Sequence, residues 1–247
     1  MNTDKKELFI HLWKKYFNNS ELPIAFYYAN DNKGIAIAEH PEGHRCLIAQ
    51  LNRVRKGESL SFNSDSIGCI GGKRYLGYSE TFRPRFEQFL SHGNENEICE
   101  RYKSSPELVS ELLEKIPPIP AEGDYIIFKR WDQLTEYDKP IAVFFFATAD
   151  VIAGLFTLAS YDSAEQDAVI SPFGAGCTSI IYHPWREERQ GTGRAVIGMF
   201  DPSARKCIKK DIISFAVPTS KFMKMINQME ESFLITDTWS KIQSRIE

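Results

Sequence analysis

The sequence lacks the motifs that assign a chemistry directly. It has no Cys-x-x-Cys pair, no His-Glu-x-x-His motif and no arrangement of serine, histidine and aspartate typical of a hydrolase. Cysteine is scarce and odd in number, with five residues at positions 46, 69, 99, 177 and 207. An odd number of cysteines in a chain without an export signal argues against a disulfide framework. We therefore expect free, reduced thiols.

A long basic tract is also absent, since 30 Lys and Arg residues stand against 33 Asp and Glu residues. Without a basic surface there is no electrostatic basis for binding nucleic acid. The opening segment, "MNTDKKELF", is polar and lacks the apolar core of a signal peptide. The sequence therefore predicts a cytoplasmic protein that does not bind nucleic acid.

One apolar stretch is long enough to cross a bilayer, "PIAVFFFATADVIAGLFTLA" at residues 140–159. Asp150 lies at its centre, where a carboxylate costs about 2.5–3.5 kcal/mol in lipid. A buried strand over residues 141–147, followed by a helix with Asp150 as its N-cap, explains the same residues without that cost. We therefore predict no membrane association.

Helices and strands alternate along the chain, which predicts an α/β or α+β fold with a mixed sheet covered by helices. Ser105 followed by Pro106 is a strong start signal for one of these helices. The predicted helices lie at residues 4–17, 46–57, 80–116, 151–161 and from 219 onward. The predicted strands lie at residues 21–29, 59–64, 125–131, 140–147, 167–171, 178–182, 194–200 and 211–217.

A proline-rich stretch at residues 117–123 divides the chain into two halves, 1–117 and 124–247. Each half contains a glycine–cysteine segment, and the strands "PIAFYYA" and "PIAVFFFA" resemble each other. We interpret the halves as related units that contain a β-α-β arrangement, and we expect them to form one compact structural unit. Ligand sites in such sheets lie at strand ends, where the glycine segments fall.

A glycine-rich segment, "GCIGGKRYLG" at residues 68–77, is the first candidate binding site. Gly68, Gly71 and Gly72 permit a ligand to approach the main chain, and Lys73 and Arg74 add positive charge. The spacing fits neither a phosphate-binding P-loop nor a dinucleotide fingerprint. The segment predicts a ligand loop, with a glycine-rich turn whose cations face solvent as the alternative.

Cys69 and Cys177 each follow a glycine, which indicates that each thiol is presented on a turn. A thiol near Lys73 and Arg74 can have a lowered pKa and act as a nucleophile or a metal ligand. Both cysteines are therefore candidate catalytic residues. Together with Cys46 they could supply three thiolates to a metal ion or an iron–sulfur cluster. Buried cysteines that pack as small apolar groups are the alternative.

The turn "GMFDPSARKC" at residues 198–207 is the last candidate. Asp201 is predicted to cap a helix whose first residue is Pro202. Asp201 and Arg205 could orient a polar ligand, or they could pair with each other and fix the turn. Both are kept as candidate ligand-binding residues.

The order of these motifs resembles the family catalogued as domain of unknown function 169. The family carries a cysteine before a helix, a Cys-x-Gly-Gly segment and a Leu-Gly pair, and the resemblance covers roughly residues 20–235. The matching residues are Cys46, Gly57, Cys69, Gly71, Gly72, Leu76 and Gly77. Where the family has a Gly-Cys-x-Gly-x-Arg turn, this chain keeps Arg205 but has Asp201 near the cysteine position. That difference argues against a site of four thiolates and leaves open one of three cysteines with Asp201.

Three functions fit these observations. The leading prediction is a protein that binds a small molecule or cofactor, whether or not it is an enzyme, through glycine amides, cations and thiols. The second is a metal or iron–sulfur protein that uses Cys46, Cys69 and Cys177 for redox chemistry or sensing. The third is a non-catalytic interaction protein with buried cysteines. The oligomeric state is left open.

Overall fold

Seven strands form one open, mixed sheet in the computed structural model, which describes residues 3–40, 42–93 and 98–246. The strands are β1 (Ile24–Ala29), β2 (Leu60–Phe62), β3 (Tyr125–Arg130), β4 (Ala142–Ala147), β5 (Val169–Ile170), β6 (Ala195–Gly198) and β7 (Ile213–Pro218). Their order across the sheet is β2-β3-β1-β4-β7-β6-β5, and only β5 and β6 pair in parallel. The predicted mixed sheet is confirmed.

Helices cover both faces of this sheet, as predicted. Within the described residues they are α1 (Thr3–Phe17), α2 (Leu47–Arg55), α3 (Ile70–Tyr75), α4 (Phe86–Leu90), α5 (Pro106–Lys115), α6 (Ala149–Ser160), α7 (His183–Gln190), α8 (Pro202–Arg205), α9 (Thr219–Gln228) and α10 (Asp237–Gln243). A π-helical turn, Thr178–Tyr182, leads directly into α7. Helices α1, α6, α9 and α10 pack on one face, and α2, α3 and the π-helical turn pack on the other.

The two central strands, β1 and β4, are apolar along most of their length because helices cover them on both sides. Successive side chains of a strand point to opposite faces. Phe26 and Phe144 therefore pack on the α2 side, whereas Ala25 and Val143 pack on the α1 side. Helix α1 buries the predicted apolar stripe, which confirms the helical periodicity of residues 4–17; the buried residues are Phe9, Leu12, Trp13, Tyr16 and Phe17.

The strand register relates two sets of three strands by an approximate two-fold rotation, the first set being β1, β2 and β3 and the second β4, β6 and β7. Ala25 of β1 lies opposite Val143 of β4, with one further residue pair on each side. The same rotation places β3 on β7 and β2 on β6, since the two ladders of each set run in matching register. A parallel bridge between Ile37 and Ser61 lies on the outer edge of β2, as β5 lies on the outer edge of β6. Strand β3 comes from the second half of the sequence and lies between two strands of the first.

Two segments predicted from composition have a different structure. The glycine-rich segment is not a loop, because Ile70–Tyr75 form helix α3. Residues 178–182 were expected to form a strand, since they are rich in β-branched and aromatic residues. They form the π-helical turn instead, and all five side chains are buried. Burial against the sheet has overridden their local preference.

The helix start signals had mixed outcomes. Ser105 caps α5 as predicted, with its Oγ accepting from the Leu108 amide at 3.3 Å. Asp150 is not the N-cap of α6, because Thr148 occupies that position. Asp150 lies in the first turn and pairs with Arg245 at 3.2 Å. Residues 80–116 are helical only in α4 and α5, and the described residues between these two helices are not helical.

The long apolar stretch at residues 140–159 folds as β4 followed by α6. In the part of the chain that the structure describes, no helix combines the length and the apolar character that crossing a bilayer requires.

Candidate functional site

A cavity of about 740 Å³ lies between the α2 side of the sheet and the segment that contains α4 and α5. Its wall is largely apolar, and the apolar side chains are Ile70, Tyr75, Phe86, Phe89, Leu90, Leu112, Leu113, Ile116 and Phe173. The polar part of the wall contains His44, Cys46, Cys69, Arg83, Glu100, Tyr102, Asp201, Ser203 and Lys206. A concave apolar wall with a few convergent polar groups is the usual form of a small-molecule site.

Four polar side chains of this region stand at helix starts. Cys46 precedes α2, Cys69 precedes α3, Cys177 precedes the π-helical turn, and Asp201 precedes α8. Cys46 and Cys177 are counterparts under the two-fold rotation, since each precedes the helix that leads to β2 or β6. Cys69 and Asp201 are counterparts because each caps the helix that follows β2 or β6. The internal symmetry of the fold therefore brings distant parts of the chain together.

These side chains form one cluster with Cys207, which we call the thiol–carboxylate cluster. The four other members all lie close enough to Cys177 to help raise the pKa of its thiol electrostatically. The Cys207 thiol is also close to Cys46, which helps to raise its pKa. Cys46, Cys69 and Asp201 are part of the cavity wall, whereas Cys177 is only 6% exposed. Residues 69, 177 and 201, which lie far apart in the sequence, therefore lie close together in the fold.

Burial controls the acidity of the thiols. It raises the pKa of the Cys69 thiol, although the Gly72 amide donates to Cys69 Sγ at 3.4 Å and partly offsets the effect. It raises the pKa of Cys177 well above the usual range, and with the neighbouring Cys46 it raises the pKa of Cys207 to about 11. The predicted lowering of the Cys69 pKa by nearby cations is therefore wrong, because desolvation is the larger effect.

Cys177 is not presented on an open turn, as the preceding glycine had suggested. Its backbone is helical and its side chain is buried. Gly176 is required there because a methyl group at this position would meet Met199 Sδ at 2.8 Å and Ala204 Cβ at 2.9 Å. The glycine thus permits close packing against the start of α8 rather than access to the thiol.

Asp201 caps α8, as predicted, and is 4% exposed. Its Oδ1 accepts from the Ala204 amide at 3.1 Å and from the Ser203 hydroxyl. Its Oδ2 is buried and has no hydrogen-bond partner among the described residues. Arg205 donates instead to the carbonyl oxygens of Ile212 and Lys210, so its role is to fix the loop that leads to β7.

The other predicted ligand-binding residues are divided between the cavity and the scaffold. Gly68 and Gly71 belong to the cavity wall. Within the described residues, that wall does not include Gly72, Lys73, Arg74 or Arg205. Arg74 is 5% exposed, donates to the Ile116 carbonyl at 2.8 Å and lies 4.7 Å from the Phe82 ring centroid. It connects α3 to the end of α5. The alternative, in which Arg74 faces solvent, is therefore wrong for this residue.

A metal centre is not preformed in this region. Among the described residues, no three histidine, cysteine, aspartate or glutamate side chains are grouped so that they could hold a metal ion. The metal or iron–sulfur site of Cys46, Cys69 and Cys177 therefore stays a prediction.

Comparison with known proteins places the chain in a family. A family model described as "Uncharacterised ArCR, COG2043" matches residues 14–228. The chain belongs to the DUF169 family. The resemblance noted in the sequence is confirmed, and the matched DUF169 region contains every member of the thiol–carboxylate cluster. No curated protein and no solved structure matches the chain. The family description names no activity, so a functional conclusion depends on the residues themselves.

The apolar wall of the cavity was not predicted from the sequence. Leu112, Leu113 and Ile116, in α5 and at its end, contribute to the wall, whereas Leu108 is 42% exposed. The aromatic residues of α4 were not assigned any role, although Phe86 and Phe89 lie three residues apart on one helical face. That spacing was the available signal.

Proposed function

We propose that this protein binds a small amphipathic molecule in the cavity beside the thiol–carboxylate cluster. The observation that carries this proposal is the combination of an apolar wall with a buried polar group at one position. The volume of about 740 Å³ lies within the range of small-molecule sites, and it is lined mainly by aromatic and aliphatic side chains. An apolar portion of the ligand would pack between α4 and α5, with its polar portion near Cys69 and Asp201.

The protonation state of the thiols favours a binding function over one in which a thiolate acts as a catalytic nucleophile. The thiolate, and not the thiol, is the nucleophile in cysteine enzymes. Burial raises the pKa of the Cys69 thiol, which keeps it protonated at neutral pH. Cys46 and Cys69 then act as weakly polar, polarisable contacts for the ligand. The free thiols and the net charge of −3 fit a reducing, cytoplasmic location without nucleic-acid or membrane partners.

Titration with Nile red, an uncharged dye that fluoresces in apolar sites, tests the proposal. We expect saturable binding by the wild-type protein and a loss of about tenfold or more in affinity for Leu113→Arg, because an arginine in an apolar wall is costly. Leu108→Arg is the matched control, since Leu108 lies on the same helix but is exposed and outside the cavity wall. Equal binding by both variants, with melting temperatures unchanged, would contradict the proposal.

A further inference from the structure

The Asp201 carboxylate is the one buried group of the cavity wall whose hydrogen bonding is incomplete among the described residues. Its side chain is 4% exposed, and its Oδ1 is fully used by the Ala204 amide and the Ser203 hydroxyl. Its Oδ2 is buried without a partner in the described part of the chain. Buried polar atoms are nearly always hydrogen-bonded, and an exception needs an explanation such as an absent ligand. The position of Asp201 in the cavity wall makes that explanation available.

Among the described residues, no cationic side chain of the cavity wall is buried as deeply as Asp201. Its negative charge acts on Cys69, Tyr75 and Cys177, and each of these groups is neutral in the protein at neutral pH. The cationic side chains of the cavity wall, Arg83 and Lys206, are both exposed at its rim.

Arg83 is also occupied by another contact, since its guanidinium lies 3.9 Å from the Phe89 ring centroid. No ion pair joins Asp201 to a cation within the described residues. Buried carboxylates are normally paired with a cation. The cavity therefore has a buried acceptor that a cationic donor would complete.

We infer that the ligand carries a protonated amine, which donates to Asp201 Oδ2, attached to an apolar body that packs against α4 and α5. This inference rests on the proposed function, because it assigns the chemistry of the ligand in that same cavity. A charge-assisted hydrogen bond to a buried carboxylate is stronger than a neutral one. Asp201 is thereby assigned a second role besides capping α8, and it selects amines over carboxylates of the same size.

Two dansyl probes test the inference. Dansylcadaverine and N-dansyl-6-aminohexanoic acid share a fluorophore and a similar linker, and they differ mainly in carrying an ammonium or a carboxylate at the end. We expect the wild-type protein to prefer the amine by about tenfold or more. Asp201→Asn should remove most of that preference, because the amide is neutral. The variant should still cap α8, since an asparagine oxygen also accepts from the Ala204 amide. Asp124→Asn, at an exposed carboxylate outside this cavity, is the control and should retain the preference.

The outcomes are separable. Equal affinity for the two probes, a preference for the carboxylate, or a preference that survives in Asp201→Asn overturns the inference, while saturable Nile red binding keeps the proposed function. If neither the dansyl probes nor Nile red binds to the wild-type protein, both conclusions fail. Nile red binding to Asp201→Asn, measured beside its melting temperature, distinguishes the loss of the head-group contact from the loss of the cavity.

Discussion

The two halves of the sheet have the same strand order and register but carry different chemistry at equivalent places. After β2 the chain turns into α3 through Cys69, and after β6 it turns into α8 through Asp201. Both side chains accept from the amide three residues later, at 3.4 Å for the sulfur and 3.1 Å for the carboxylate oxygen. Capping tolerates either residue, so the scaffold does not decide between them. Of these two capping residues, only Asp201 brings a carboxylate to the cavity wall.

The counterpart thiols of the two halves differ in their access to the cavity. Cys46 in the first half belongs to the cavity wall, whereas its counterpart Cys177 is buried behind it. Close packing explains this difference, because the π-helical turn that follows Cys177 lies directly on β6. At that contact the second half has Gly198, where the register places Phe62 in the first. The first half therefore keeps two of its thiols in the cavity wall, and the second half seals its thiol and places a buried carboxylate there.

The largest effect is expected where the second half is sealed. A methyl group on Gly198 would overlap the Ser179 side chain of the π-helical turn. Gly198→Ala should lower the free energy of unfolding by about 3 kcal/mol, because neither the strand nor the turn has room to move. Urea denaturation measures this loss. A decrease below about 0.5 kcal/mol would show that the turn is not held against β6 as described.

Replacing one thiol of each half by a hydroxyl should give the next largest difference between the two halves. Cys177→Ser places a hydroxyl in a buried, apolar position and should cost about 2 kcal/mol of stability. Cys69→Ser should cost less than about 1 kcal/mol, because the new hydroxyl can accept from the Gly72 amide as a normal N-cap. Thermal and urea unfolding of both variants provide the comparison. Equal losses would mean that Cys69 is as deeply packed as Cys177.

The elements that could be predicted from sequence are those in which local signals agree with packing. The stripe on α1 has helical spacing, and the Asp201–Pro202 start has the expected cap. Helix α3 was not predictable in this way, because Gly71 and Gly72 disfavour a helix. It forms because the Cys69 cap and the burial of Tyr75 outweigh that preference.

The candidate site was predictable only as a set of residue types. The cysteines and Asp201 were recognised as candidates, but their depth depends on what packs over them. Desolvation then reversed the expected direction of the Cys69 pKa. The apolar wall depends on α4 and α5 folding against residues far away in sequence. A local sequence pattern does not indicate which distant residues a helix will pack against.

The free energy of unfolding should depend on pH through the buried Cys177 thiol. Because burial raises the pKa of Cys177, the folded state holds its proton while the unfolded thiol titrates near 8.5. The contribution of the buried, protonated Cys177 thiol to the free energy of unfolding is therefore complete below the pKa of the unfolded thiol and is lost as the pH rises above it. Between about pH 7.5 and about pH 9.5, this thiol should lower the free energy of unfolding by about 1 kcal/mol.

Urea denaturation at both pH values, for the wild-type protein and Cys177→Ala, measures this contribution as a difference in slope. The variant should lose less stability than the wild type over the same interval. Cys99→Ala lies outside the cluster and should keep the wild-type slope. An unchanged slope in Cys177→Ala would show that this thiol is not the group responsible.

The smallest effect tests whether the glycines of α3 serve the helix or the cavity. The positions two and three residues after the cap are Gly71 and Gly72 in the first half, and Ser203 and Ala204 in the second. A methyl group on Gly71 would meet its nearest neighbours at 3.8 Å, an ordinary contact, so Gly71→Ala should raise the free energy of unfolding by about 0.5 kcal/mol through helix propensity. Gly72→Ala is the matched comparison, since its methyl group would lie only 3.3 Å from Ile67 Cγ2, and this close contact should cancel the gain in stability.

Nile red affinity measured beside urea denaturation shows whether Gly71 serves the helix or the cavity, because Gly71 belongs to the cavity wall. A stabilised Gly71→Ala with weakened dye binding would mean that the glycine keeps space for the ligand, whereas unchanged binding would assign it to the backbone alone.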